Sequence, residues 1–316
     1  MYNYCTLFDS NYLTRGLALY ESLKCYSTDF HLYIFAFDNR SLDLLKKLSL
    51  EHATIIGLLE FEDEELLAVK PTRAIGEYCW TCTPSVIKYC LDNYDIDNCT
   101  YVDADIYFYS DPSILIEEME DKSVLITEHR YTPKYDQSAI SGIYCVQFMT
   151  FKRDKRAMHV LNWWREACLL WCFNRFEDGK FGDQKYLDDW PERFEGIHVL
   201  VDLGGGVAPW NIQQYDLKSN SIELVFYHFH GLQFIKGDRV MLSSYDLTTE
   251  DINIIYKPYI SHLNQIQARL NSDGEKYDYH GIRPNLNFNR KNILGFIKQI
   301  IKNRLFSYSL NSLLEK

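Results

Sequence analysis

The first sixty residues alternate between two hydrophobic periods, and this alternation limits the fold more than any other feature of the chain. Tyr2 to Phe8 is an aromatic and β-branched run that stops at the turn-forming Asp9-Ser10-Asn11. Leu13 to Tyr26 then carries Leu17, Tyr20, Leu23 and Lys24 at helical spacing, and His31 to Phe37 reads as a second strand ending at Asp38. A helix over Ser41 to Glu51 and a short apolar run from Ala53 to Leu59 continue the rhythm. Strand, helix and strand in this order predict an α/β domain with a largely parallel sheet. Ligands of such sheets sit at the carboxyl ends of the strands, which puts Phe8, Asp9 and Asp38 where a nucleotide could bind. Both acids suit the plain start of a loop equally well.

The usual phosphate cradles are missing. No G-x-G-x-x-G follows the first strand and no G-x-x-x-x-G-K-[ST] occurs. Gly204-Gly205-Gly206, with Pro209 close behind, reads as a flexible loop. Glu77 to Tyr94 reads as a helix in which Pro84 requires a boundary or a kink. After it, Cys99-Thr100-Tyr101-Val102 is β-like and stops at Asp103-Ala104-Asp105, before the apolar Ile106-Tyr107-Phe108-Tyr109. Two carboxylates at the end of a buried strand are costly unless something positive satisfies them. Two apart in an extended segment, they point the same way. A hard divalent cation is the favoured partner, since it takes carboxylate oxygens and keeps positions open for phosphate; exposed turn acids are the alternative.

Composition removes several function classes. Forty-four acidic against 33 basic residues give a formal charge of −11, which argues against a general nucleic-acid binder. An aromatic content of 15% is too high for a disordered chain. No stretch reaches the ~18 apolar residues of a membrane span, and no basic leader precedes Tyr2. Nine cysteines, an odd count, suit free thiols in a reducing compartment, so a cytoplasmic globular protein is expected. Cys79-x-x-Cys82 and Cys168-x-x-x-Cys172 lie too far apart for a compact zinc module and read as small core residues. Trp163, Trp164 and Trp171 read as core, and Trp210, in a loop after glycines, as the better candidate for an open stacking platform. Neither a G-x-S-x-G elbow nor H-E-x-x-H is present.

The run Tyr101-Val102-Asp103-Ala104-Asp105-Ile106 resembles the D-x-D segment of GT-A glycosyltransferases, near the glycogenin-like family 8 and bacterial surface-polysaccharide enzymes. The resemblance continues in order over most of residues 1–240. Tyr4-Cys5-Thr6-Leu7-Phe8-Asp9 is similar to the opening strand, with Arg15 in the first helix. Ser141-Gly142-Ile143-Tyr144 with Phe148-Met149 resembles the segment on the sugar side, and Phe181-Gly182-Asp183-Gln184 the Asp-Gln element. Ala208-Pro209-Trp210-Asn211 precedes His228-Phe229-His230-Gly231, which resembles the late H-x-x-G motif.

The resemblance implies a GT-A, Rossmann-like mixed sheet flanked by helices over residues 1–240, with a helical C-terminal appendage over 241–316. It implies that Asp103, Asp105 and His228 hold Mn²⁺ or Mg²⁺, that Thr6, Asp9, Arg15, Asp38 and Asp103 serve the nucleotide end, and that Asp183 and Gln184 serve the sugar. It implies a UDP-sugar donor, a glycan or lipid-linked saccharide acceptor, and by analogy retention of anomeric configuration. The chain departs from the pattern where relatives extend H-x-x-G with Lys-Pro-Trp. Here Leu232-Gln233-Phe234-Ile235-Lys236 follows, so Lys236 is a loose phosphate contact. His228 and His230 both remain candidate ligands, and Gln147 stands where relatives tend to have glycine. Two other readings share the topology: a sugar-phosphate nucleotidyltransferase, which usually has a glycine-rich basic loop that Asp9-Ser10-Asn11-Tyr12 lacks, and a non-catalytic carbohydrate-binding scaffold.

The tail is charged differently from the rest. Residues 283–316 contain seven basic side chains and one acid, Glu315, a net of +6 that leaves −17 for the remainder. Ile293, Phe296, Ile297, Ile300 and Ile301 recur at helical spacing, with Lys291, Lys298 and Lys302 on another face. Such a helix suits peripheral contact with an anionic membrane, at about 1 kcal/mol per basic residue, or packing on the catalytic domain.

Overall fold

The computed structural model describes residues 1–218, 222–272, 274, 276–282 and 307–314. Strands β1 (Tyr2–Phe8), β2 (Phe30–Ala36), β3 (Ala53–Gly57) and β4 (Asn98–Val102) run parallel, in the order β3-β2-β1-β4. Next to them the chain adds β5 (Ile106–Phe108), β6 (Val124–Glu128), β7 (Tyr144–Lys152) and β8 (Ile197–Val199). β7 pairs antiparallel with β4, and β6 and β8 complete a seven-stranded mixed sheet, β3-β2-β1-β4-β7-β6-β8. β5 leaves the sheet and pairs antiparallel with β9 (Phe226–His228). A smaller sheet joins β10 (Gln233–Ile235), β11 (Arg239–Met241) and β12 (Ser307–Ser309).

The central strands are buried on both faces because helices cover both, as a parallel sheet requires. On one face, helices Leu13–Tyr26 and Lys257–Leu270 bury Tyr4, Phe8, Leu17, Leu32, Ile34 and Tyr259 in one apolar cluster. On the other, helices Ile75–Asn93 and Lys155–Leu170 cover Cys5, Leu7, Phe35, Val86, Leu161 and Trp164. Trp164 is fully buried, as its apolar setting predicts, and its indole N–H is satisfied by the Asp183 carbonyl at 2.9 Å.

One local expectation is narrowed and another changes. Pro84 lies inside helix Ile75–Asn93 and marks no boundary. Pro84 has no N–H to offer the Trp80 carbonyl one turn back, and in the same stretch the Thr81 and Thr83 hydroxyls donate to the Glu77 and Cys79 carbonyls. The glycine run 204–206 is packed rather than flexible: all three are buried, and a Cβ on Gly204 would lie 1.9 Å from the Glu223 carbonyl oxygen. Arg130 fixes this loop, donating to the carbonyls of Leu200, Asp202 and Gly205.

C-terminal to residue 240, helix Lys257–Leu270 and the segment 277–282 pack into the same apolar cluster as β1. Leu313 joins that cluster from the short helix Leu310–Leu314. The basic amphipathic stretch around Lys291 to Lys302 lies outside the described residues. Among the described residues no helix is long and apolar enough to cross a membrane.

Candidate active site

The carboxyl ends of β1, β2 and β4 form one edge. Phe37 N–H donates to the Phe8 carbonyl at 2.9 Å, tying the first two strands where they end. Asp38 accepts from the Ser10 backbone N–H at 3.0 Å and hydroxyl at 2.6 Å, and caps helix Asn39–Leu48 through Ser41 N–H. Those bonds favour its charged form enough to overcome partial burial, so its carboxyl titrates below the usual range. Asp9 caps the following turn by accepting from Asn11. Both acids therefore shape loops at this edge.

Beyond β4 the chain turns sharply. Asp103 N–H donates to the Gln147 carbonyl at 3.0 Å, continuing the ladder to β7, and Ile106 N–H then folds back to the Asp103 carbonyl at 3.1 Å. The two acids flank a turn rather than share one face of an extended strand, a correction to the sequence reading. Their convergence has another cause. β5 pairs with β9 in a register that sets Ile106 opposite His228, and Phe229 N–H holds the Asp105 carbonyl at 2.9 Å. His228 Nε2 consequently lies 3.2 Å from Asp105 Oδ1 and 3.7 Å from Asp103 Oδ2. Tyr101 OH donates to the free oxygen of Asp103 at 3.0 Å, and the Gln147 amide meets His228 Nδ1 at 2.8 Å.

Among the described residues the ligand atoms of Asp103, Asp105 and His228 all lie within 4.8 Å of one another, as do those of Cys5, Cys90 and Cys99. The thiols are sealed in the apolar core between β1, β4 and helix Ile75–Asn93. The carboxylates and imidazole open onto the strand edge. This second group is the candidate centre.

No family model matches the chain. It is 30% identical over 280 residues to the uncharacterized protein YfnD of Bacillus subtilis (strain 168), covering 84% of this chain and 89% of YfnD. With YfnF of the same organism it shares 30% identity over 298 residues, covering 87% and 98%. The chain belongs to the family of YfnD and YfnF. Its fold is the GT-A-like fold of glycosyltransferases. The galactosyltransferase LgtC, solved in complex with donor and acceptor sugar analogs, superimposes with a TM-score of 0.53 at 10% identity over 83% of this chain and 95% of LgtC. The glycosyltransferase GlyE of Streptococcus pneumoniae TIGR4 superimposes with 0.51 at 12% identity, over 85% of this chain and 63% of GlyE.

The charges in this YfnD/YfnF-family centre are interdependent. Burial disfavours the imidazolium of His228, but the carboxylates of Asp105 and Asp103 outweigh it and raise the imidazole well above its ordinary range. Burial also opposes ionisation of Asp105; the adjacent imidazolium wins and holds this carboxyl low. Asp103 goes the other way, raised by burial and by the charge of Asp105. Asp183 is 4% exposed, and burial reinforced by the charge of Asp103 pushes it up to about 8. Gln184 next to it donates to the Ser141 carbonyl at 2.6 Å, which ties the Asp-Gln element to the segment before β7.

Other expected site residues are placed differently. Arg15 is 2% exposed, and its guanidinium bonds the carbonyls of Leu232 and His280, clamping helix Leu13–Tyr26 to the C-terminal segment. Thr6 is fully buried on β1, its hydroxyl without a hydrogen-bond partner among the described residues. Lys236 is exposed on the turn between β10 and β11. Trp210 is 4% exposed and donates to the His129 carbonyl at 2.8 Å, so it is no open platform. Its ring instead backs His228 edge-on at 5.4 Å. His230 is exposed on the rim, its ring 5.7 Å from that of His228. Sequence reasoning missed Tyr101, which reaches Asp103 from two residues away, and the Cys5/Cys90/Cys99 group, and treated Gln147 only as a departure from pattern; the cysteines and Gln147 owe their places to strand pairing and helix packing across long sequence distances.

Proposed function

We propose that the chain is a metal-dependent glycosyltransferase that moves a sugar from a UDP-sugar to a glycan or lipid-linked saccharide, with retention. One observation carries the reading: Asp103, Asp105 and His228 converge at the carboxyl edge of the parallel strands in a GT-A-like fold. Two carboxylates and an imidazole suit a divalent cation, and the imidazole favours Mn²⁺ over Mg²⁺. Held by Asp103, Asp105 and His228, the cation would supply positive charge that neutralises the charge developing on the departing nucleotide. For it to bind, His228 must give up the proton it holds between the carboxylates.

The remaining chemistry falls to the chain itself. The edge formed by Asp9, Ser10 and Asp38 is the proposed nucleotide end, with Thr6 and Arg15 behind it shaping the floor. Asp183 and Gln184 are proposed to face the transferred sugar. A carboxyl held near 8 is mostly protonated at pH 7, so Asp183 suits donation to a sugar hydroxyl better than taking a proton from an acceptor. That supports retention over an inverting route with Asp183 as base. Lys236 is a proposed phosphate contact from the β10–β11 turn.

Thermal unfolding with UDP and UDP-hexoses, with and without Mn²⁺, tests the reading. A ligand at a hundredfold its dissociation constant stabilises the native state by about 2.7 kcal/mol. The midpoint is expected to rise with nucleotide and Mn²⁺ together, and little with either alone. An equal rise in excess chelator would defeat the metal role.

A further inference from the structure

We infer that Gln147 is a positioning residue that sets the tautomer of His228 and so decides which ring nitrogen can bind a cation. The inference rests on the metal-dependent reading above. His228 uses its two nitrogens in different directions: Nε2 faces Asp105 at 3.2 Å and Asp103 at 3.7 Å, and Nδ1 faces the Gln147 side-chain oxygen at 2.8 Å. A glutamine can offer either end of its amide. If it offered its NH₂, Nδ1 would have to accept and the proton of the neutral ring would sit on Nε2, aimed at the carboxylates. No cation could then use that nitrogen. With the oxygen offered, Nδ1–H donates and the Nε2 lone pair of the neutral ring joins the two acids.

The surroundings show what this arrangement costs. Gln147 is fully buried, and its NH₂ group has no hydrogen-bond partner among the described residues. A buried donor left unmade costs about 1–3 kcal/mol. No other bond to the amide therefore dictates its orientation; the contact with His228 is the one it makes. The amide also sits in a tight slot. Gly206 has φ +94°, and a Cβ there would lie 2.8 Å from Thr127 Cγ2 and 3.4 Å from the Gln147 nitrogen. Backbone pairing fixes both ends of the contact: Asp103 N–H donates to the Gln147 carbonyl at 3.0 Å, and His228 N–H to the Val207 carbonyl at 2.9 Å. A positioning group opposite a metal-binding imidazole is typically worth 10–100-fold in metal affinity.

Titration calorimetry with Mn²⁺ on the full chain, comparing wild type, Asp105→Ala, Gln147→Leu and Gln147→Glu, separates the possibilities. Wild type is expected to bind and Asp105→Ala to lose binding. Gln147→Leu, which keeps bulk and removes the acceptor, is expected to weaken Mn²⁺ by about 10–100-fold. Gln147→Glu keeps an acceptor and is expected to hold affinity within a few-fold. If Asp105→Ala loses Mn²⁺ while Gln147→Leu binds like wild type, the role of Gln147 is refuted and the metal centre stands. If wild type binds no Mn²⁺, or Asp105→Ala binds it equally, the metal reading fails and this inference with it. A two-bond ¹⁵N–¹H spectrum of Zn²⁺-loaded wild type reads the tautomer without any variant of Gln147. A proton on Nδ1 of His228 supports the assignment, and one on Nε2 overturns it even if Gln147→Leu fails to fold.

Discussion

Asp105→Ala is expected to lower Mn²⁺-dependent turnover by at least about a hundredfold, the scale of losing one preorganised electrostatic contact to developing charge. Metal affinity and nucleotide binding should fall together. Two repelling carboxylates alone would make the metal-free protein more stable on losing one of them. Here the opposite is expected, because Asp105 is the closer partner of the His228 imidazolium, at 3.2 Å against 3.7 Å for Asp103. Deleting it leaves a buried cation with its weaker contact, at a cost of about 2 kcal/mol, below the range for breaking a fully buried pair. The sign with pH follows from both partners. Asp105 is lowered in the folded state, so its contribution is present above the unfolded carboxyl value, near 4, and is lost as pH falls through the folded value. His228 is raised, so its contribution is complete below about 6.5 and fades as pH rises through the folded value. Urea unfolding of the metal-free variant should therefore show its largest deficit near pH 5–6. A variant as stable as wild type at pH 6 would refute the ion pair. His228→Ala should match Asp105→Ala in metal affinity, whereas His230→Ala, on the exposed rim, should retain most of it.

Asp183→Asn is expected to make the protein more stable at pH 8 and to change it little at pH 5. The folded carboxyl is pushed up to about 8 by burial and by Asp103, against about 4 in an unfolded chain. Between those values the native state holds a proton that the unfolded state releases, so this group costs stability as pH climbs from 4 towards 8. A full shift would amount to about 1.4 kcal/mol per pH unit; we expect roughly half of that, about 2 kcal/mol between pH 5 and pH 8, in favour of the variant. Asparagine preserves the backbone carbonyl that Trp164 binds at 2.9 Å, so packing should survive. Denaturant curves at the two pH values measure the difference directly. A gap that is the same at both would mean that Asp183 is charged in the folded protein.

What the sequence disclosed divides by distance along the chain. β1, helix Leu13–Tyr26, β2 and β3 fall within a few residues of their expected limits, because each is written in a local hydrophobic period. The Asp103/Asp105 pair was visible as a motif, though for a partly mistaken reason. An extended strand would have aligned the acids; in the fold a turn separates them, and β5–β9 pairing brings His228 between them from more than a hundred residues away. That register also sets His228, and not His230, beside the two carboxylates, which no local rule could do. Arg15 and Trp210 looked available because their partners, the carbonyls of Leu232, His280 and His129, lie far along the chain. The glycine run looked loose for the same reason, since Glu223 and Arg130 close on it from distant segments. Cys5, Cys90 and Cys99 come from a strand, a helix and another strand, a grouping that spacing rules do not detect.

The central claim is metal-dependent use of a UDP-sugar, and release of UDP tests it most directly. Purified full-length protein, incubated with a panel of UDP-hexoses and their N-acetyl forms, should release UDP from at least one donor with Mn²⁺ present. Release should stop in excess chelator and be absent in Asp105→Ala. Unchanged release in chelator, or in Asp105→Ala, would contradict the account.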